Sequence, residues 1–187
     1  PDTGWANGAG SGAADDENTY LYSSFKSSID ALNSTNGRTP MVYVGSNDGM
    51  LHAFNATIGE TDSGKELFAY IPKTTFAKLK DLTNPDYDHA YMVDGSPTVG
   101  DVLYDNTWHT ALVAGFGAGG QGYFAIDVTD PSAFDTETNA AAKVLWEIDD
   151  SFDNDLGYSF GKPNIVRMAN GDWAAVFGNG YNSTYDD

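Results

Sequence analysis

The chain has 187 residues, no cysteine, and 27 acidic against 9 basic side chains, a formal net charge of −18. That balance repels phosphate backbones and argues against nucleic-acid binding, and the lack of thiols excludes disulfide scaffolds, cysteine-ligated zinc and thiol catalysis. The 41% hydrophobic and 13% aromatic content suits a globular core, and no apolar run reaches the roughly 20 residues of a membrane-spanning helix.

Residues 1–20, PDTGWANGAGSGAADDENTY, are rich in Gly, Ala and Asp without periodicity and read as a flexible lead-in. In SSFKSSIDALN, Phe25, Ile29 and Leu32 recur at i, i+4 and i+7, the stripe of a short amphipathic helix starting near Ser23 or Ser24. A second short helix is expected over 74–83, with Phe76, Leu79 and Leu82 along one side.

From Arg38 onward the pattern is β. PMVYVG turns through SNDG into MLHAFN, SPTVGDVLY through DNT into WHTALVAG, and NIVRM through ANGD into WAAVFG, each an apolar hairpin with a polar turn. The predicted strands are 41–45, 50–55, 66–70, 97–103, 109–115, 123–128, 143–148, 163–168 and 173–178.

These hairpins repeat. MVYVGSNDG, ALVAGFGAG and AAVFGNGYN each end a strand at a glycine (Gly45, Gly115, Gly178), spaced 70 and 63 residues apart. Gly95-Ser96-Pro97 and Gly161-Lys162-Pro163 precede Trp108 and Trp173 by 13 and 12 residues from the glycine. One unit is therefore four short antiparallel strands, the sequence picture of a β-propeller blade. The expected fold is all-β: a propeller arc of about two to three four-stranded blades, two of them complete, with short helices in inserted loops. Residues 1–37 form the lead-in with its helix and residues 38–187 the partial propeller.

Several motifs invite chemistry. Gly115, Gly117 and Gly120 spell G-x-G-x-x-G, but Tyr123-Phe124-Ala125-Ile126 continues as a strand. Without a helix N-terminus facing the pyrophosphate, dinucleotide binding is not expected. Gly157-Tyr158-Ser159-Phe160-Gly161 spells the G-x-S-x-G nucleophile elbow, yet Lys162-Pro163 follows where that elbow needs a helix. His52, His89 and His109 are dispersed, and His52 alternates with Met50 and Phe54 on a strand, which fits a packed or hydrogen-bonded role. Asp149, Asp150, Asp153 and Asp155 are the densest acidic cluster, and Asp149, Asp153, Asn154 and Asp155 are the candidate calcium ligands. Their spacing matches no defined metal loop, so a hydrated loop between blades is the stronger reading. Trp108, Trp146 and Trp173 recur on strands and are expected to pack between blades.

TPMVYVGSNDGMLHAFNA with GKELFAYIP resembles the repeat of quinoprotein-type propellers. VDGSPTVGDV, WHTALVAGFGAGGQGYFAIDVTDP, LWEIDD and LGYSFGKPNIVRMANGDWAAVFGNGYNS, in that order, resemble the PilY/PilC type of type IV pilus proteins, in the propeller near their C-terminus. The resemblance spans almost all of residues 38–184. It implies a non-enzymatic pilus assembly factor and tip-located adhesin, exported through the periplasm to the pilus tip or outer membrane. Its implied partners are minor pilins, the pilus tip complex and a host-cell or abiotic surface. It also implies calcium in an Asp-rich loop with alternating ligands. No D-x-D-x-D occurs here, and that loop is expected beyond Asp187, so no ligand is carried over. The rival functions are a quinoprotein-type dehydrogenase, many of which carry a cysteine pair this chain lacks, and a carbohydrate-binding propeller.

Overall fold

The computed structural model describes residues 20–30 and 38–183; the lead-in over residues 1–19 and the Leu32 end of the first helix's stripe lie outside the described residues. Three antiparallel sheets follow one another along the chain, and within each every strand pairs with its sequence neighbour. The first contains β1 (Met41–Gly45), β2 (Leu51–Asn55) and β3 (Glu66–Tyr70). The second contains β4 (Thr98–Tyr104), β5 (Thr107–Gly115), β6 (Gly122–Asp127) and β7 (Val144–Asp149). The third pairs β8 (Asn164–Arg167) with β9 (Trp173–Val176). All nine expected strands are present, with ends moved by two residues at most. The count of complete blades is corrected: among the described residues only the second sheet has four strands, the first having three and the third two.

Local chemistry explains the strands. In β1, Met41 and Tyr43 pack inward while Val42 and Val44 stay exposed, the period-2 alternation of a sheet covered on one face. β6 and nearly all of β5 are buried, and they read as continuous apolar runs because the middle sheet is covered on both faces. Asp105 and Asn106 join β4 to β5 with φ of 50° and 60°, the two positive values of a tight hairpin turn whose twist matches its strands.

The first two sheets share one core, in which Leu51, Ala53 and Phe68 meet Leu112, Phe124 and Ile126. Polar ties reinforce it. The Tyr70 hydroxyl donates to the Glu147 carboxylate on β7, which also accepts the Lys73 backbone N–H at 3.1 Å. On the opposite face of the second sheet, the buried Tyr123 stacks on Phe177 at 3.8 Å and its hydroxyl donates to the carbonyls of Gly161 and Gly178. Trp108 and Trp173 meet edge to face at 5.8 Å, the packing expected of them.

The first helix keeps its predicted face where it is described, with Phe25 and Ile29 half-buried and Phe25 stacked 6.4 Å from Trp108, whereas the segment 74–83 does not. Helix α1 (Tyr22–Asp30) docks through Tyr22, whose ring lies 4.4 Å from Trp108 and whose hydroxyl donates to Asp101. The segment predicted as one helix over 74–83 is a 3-10 turn (Lys73–Thr75), α2 (Phe76–Leu79) and a second 3-10 turn (Lys80–Thr83). Its expected stripe does not form. Tightening to about three residues per turn breaks the α-helical register, and Phe76 and Leu82 face solvent while Leu79 lies against Gly49.

Between the sheets the chain crosses over glycine-terminated strands. A Cβ at Gly45 would stand 2.4 Å from the Val93 carbonyl oxygen, and one at Gly115 would stand 2.8 Å from that of Ser159. Val93 N–H donates to Ser46 O, Asp94 N–H to Phe116 O and Gly117 N–H to Ser159 O, so both crossings are tied backbone to backbone. The third landmark, Gly178, has nothing within 4 Å of such a Cβ. Because the third sheet has two described strands against four in the second, a cleft of ≈610 Å³ remains, lined by Ala111, Val113, Ala125, Trp146 and Trp173.

The tightest approach is at Gly119, where a Cβ would fall 1.8 Å from the Met92 carbonyl oxygen. Gly119→Ala is expected to cost about 3 kcal/mol in denaturant unfolding, since neither backbone can yield cheaply, whereas Gly178→Ala should be neutral within about 0.5 kcal/mol. Equal effects at the two positions would contradict the crossing geometry. A fragment of residues 1–187 expressed alone should bind the dye ANS through the uncovered cleft and unfold with low cooperativity; sharp, dye-free, monomeric unfolding would contradict that.

Candidate functional surface

In the second sheet the end of β5, the start of β6 and the end of β7 lie together, so the β5–β6 glycine loop and the segment 150–163 share one end of the arc. The motifs singled out in the sequence gather here, and the structure gives each a physical role. The glycine loop is a strand–turn–strand: β5 runs into a 3-10 turn (Gly117–Gly119) and emerges as β6. Among the described residues no helix directly follows the loop, so its backbone does not have the helix N-terminus that holds a pyrophosphate.

Ser159 is 1% exposed and bonded on both sides. Its Oγ accepts the Phe116 backbone N–H at 2.7 Å and its hydroxyl donates to Gly120 O at 3.3 Å. A serine that closes the glycine loop from inside cannot present its oxygen to a substrate carbonyl. No histidine partners it either.

The three histidines lie apart. His52 on β2 faces two carboxylates, with Nδ1 2.7 Å from Glu66 Oε1 and Nε2 2.9 Å from Asp48 Oδ2. Only the doubly protonated imidazolium donates to both. Burial opposes that charge, but the hydrogen bonds to Glu66 and Asp48 outweigh it and hold the pKa above its ordinary 6.5. His109 Nδ1 lies 3.1 Å from Asp127 Oδ2, which also accepts the Tyr104 hydroxyl, while Oδ1 accepts the Thr129 N–H at 2.9 Å. Burial alone would raise the Asp127 pKa; the bonds from Thr129 and Tyr104, with the His109 charge, hold it below its ordinary value. His89 Nε2 lies 3.4 Å from Asn47 Nδ2.

The acidic cluster occupies the turn after β7. Asp149 Oδ1 accepts the Ser151 N–H and Asp153 Oδ1 accepts the Asp155 N–H, both at 3.0 Å. The side chains of Asp149 and Asp153 thus brace the loop from within, two residues at a time, rather than converging on one point. Among the described residues no group of three or more His, Asp or Glu side chains is placed to hold a metal ion. The carboxylates of Asp149, Asp153 and Asp155 are therefore not grouped around one point as they stand.

The sequence pattern missed an aromatic cluster beside that loop. Tyr158 and Tyr181 form an isolated antiparallel bridge, and Phe160 stacks on Tyr181 with centroids 5.5 Å apart and planes 10° from parallel. The available signal was aromatic residues next to glycines at Gly157, Gly161 and Gly180. At the far end of the arc, the loops 56–65 and 128–143 are long and polar, and Ile58 is 95% exposed.

Residues 9–187 match the PilY1 beta-propeller domain family. The chain belongs to that family. It is 52% identical over 143 residues to a type IV pilus biogenesis factor PilY1 homolog of Xylella fastidiosa, covering 76% of this chain and 9% of that protein. It is 47% identical over 168 residues to the type IV pilus biogenesis factor PilY1 of Pseudomonas aeruginosa, covering 88% of this chain and 13% of that protein. The crystal structure of the Pseudomonas aeruginosa PilY1 C-terminal domain superposes with a TM-score of 0.64 at 44% identity, over 90% of this chain and 29% of that one. The chain thus spans about a tenth of the length of these curated relatives, and its three sheets are an arc of a PilY1 propeller. No helix among the described residues is long and apolar enough to cross a membrane.

The His52 arrangement in this PilY1 arc has a pH signature. A pKa raised on folding contributes stability that is present below 6.5 and lost as pH rises through the folded value. Stability should therefore decline above pH 6.5, and Glu66→Gln should lower the His52 midpoint read by NMR and shallow the decline. An unchanged midpoint in that variant would show that Glu66 does not hold the charge.

Proposed function

We propose that this chain is the propeller arc of a type IV pilus assembly factor that acts by binding, as an adhesin at the pilus tip, and not by catalysis. The observation that carries the reading is Ser159: the one motif residue with nucleophile chemistry is buried and bonded into the glycine loop. The relatives, named as type IV pilus biogenesis factors, supply the pilus context. Minor pilins and the tip complex are the proposed partners on one side, and a host-cell or abiotic surface on the other. Export through the periplasm to the cell surface follows from that role.

Binding by this chain uses loops held on rigid sheets, as recognition loops commonly are. The long polar loops 56–65 and 128–143, at one end of the sheets, support that reading. With a net charge of −18, contact with an anionic host surface requires divalent cations or a basic receptor patch. Calcium enters as a proposal for the whole protein on the family resemblance, and residues 149–155 are not assigned to it.

Deleting the propeller in the source bacterium, with the rest of the protein retained at normal abundance, should reduce surface pili, adherent cells or both. Normal piliation together with normal adhesion would defeat the reading.

A further inference from the structure

Positive charge gathers at one place in this acidic chain, a cavity of ≈620 Å³ between helix α1, β4 and β8. Its walls include Lys26 from the helix, Arg38 just ahead of β1 and Arg167 at the end of β8. These are three of the nine basic side chains, brought together from three separate stretches of sequence. All three are half-buried. The second sheet, the third sheet and the helix enclose them, so the charges meet between described elements rather than on an open face.

One carboxylate lines the cavity, and its oxygens are already engaged. Asp101 Oδ2 accepts the Tyr22 hydroxyl at 3.0 Å and Oδ1 accepts the Thr110 hydroxyl at 2.7 Å. Arg38 reaches that carboxylate only through Thr110, whose Oγ1 accepts its Nη1–H at 2.6 Å. Neither Lys26 nor Arg38 forms an ion pair among the described residues. Trp108, packed against Tyr22 and Trp173 of the cavity wall, has a buried indole N–H with no hydrogen-bond partner among the described residues. Donors therefore outnumber acceptors here. Like charges in a half-buried space cost free energy that an anion placed between them recovers. A guanidinium presents paired donors that match a carboxylate or a phosphate. The volume is that of a site for a small molecule rather than a bare ion, and Ile29, Ile165 and Trp173 give the wall its apolar part.

We propose that this cavity binds a small-molecule oxyanion, a carboxylate or phosphate carried on an apolar body. Lys26, Arg38 and Arg167 hold the anionic group, and Trp173 with Ile29 and Ile165 receives the rest. This inference goes beyond the pilus reading and does not rest on it.

The test uses the full-length protein and titration calorimetry, with phenyl phosphate and phthalate as anionic probes and benzyl alcohol as a neutral one. Saturable binding of an anionic probe at one site per molecule, weakened by salt, is expected, with none of benzyl alcohol. The tighter of the two anions tells a phosphate site from a carboxylate site. Lys26→Gln and Arg167→Gln should each weaken binding roughly tenfold, the scale of one hydrogen bond to a charged group. Lys80→Gln removes an equal charge outside the cavity and should bind as the parent does. Retained affinity in the Lys26→Gln, Arg167→Gln double variant, or no binding of either anion by the parent, would overturn the proposal. So would an equal loss in Lys80→Gln, or benzyl alcohol binding as tight as that of the anions. Arg167 Nε also donates to Gly171 O at 3.3 Å, so if Arg167→Gln loses its near-UV circular dichroism, Lys26→Gln alone decides. A piliation defect on deleting the propeller, without anion binding by the parent, would leave the pilus reading standing and remove this one.

Discussion

The structure depends on backbone meeting backbone where one sheet hands over to the next. Each crossing segment lies on the end of a strand that stops at a glycine, and at Gly45 and Gly115 the approach leaves no volume for a Cβ. Hydrogen bonds across the crossings fix the distance, so the sheets cannot slide to make room. At Gly45 and Gly115, though not at Gly178, this constraint explains the repeated glycine better than hydrophobicity does. Many residues satisfy an apolar position, but only glycine satisfies a contact with a carbonyl oxygen at that range.

Once the crossings set the spacing, side chains fill what lies between. The second sheet is covered on both faces, so β5 and β6 bury almost every residue and lose the alternation seen in β1. Long polar side chains then span the seams. Tyr70 reaches Glu147 from the first sheet to the second, and Tyr123 reaches Gly161 and Gly178 from the second toward the third. Each tyrosine buries a ring and ends on an acceptor, which joins packing to specificity in one residue.

Legibility followed distance along the chain. The strands could be read because their signals are local: β-branched alternation, Asp-Gly and Asp-Asn turns, and glycine ends repeating in order. The blade count was less secure, since a repeat shows that units recur without showing how many strands each completes. The helix over 74–83 failed because its apolar spacing presumed 3.6 residues per turn, whereas most of the segment is 3-10. The refusal of the serine and glycine motifs came from context, a strand where a helix is required, and Ser159's two bonds show what that context does instead. The aromatic cluster escaped notice because Phe160 and Tyr181 are neighbours only through tertiary pairing, and nothing local in either stretch announces it.

Part of the acidity sits in the turns. Among the described residues, a side-chain oxygen of Asp48, Asn55, Asn84, Asp127, Asp130, Asp149, Asp153 and Asn170 accepts the backbone N–H two residues on. A fold made of short strands needs many turns, and this self-bonding is why Asp and Asn favour them. Asn and Asp perform the turn equally well, since either supplies the accepting oxygen. The choice of Asp at these positions therefore adds charge that the turns themselves do not require. That charge keeps other anions off the turn-rich surface, with an effect that fades as salt rises.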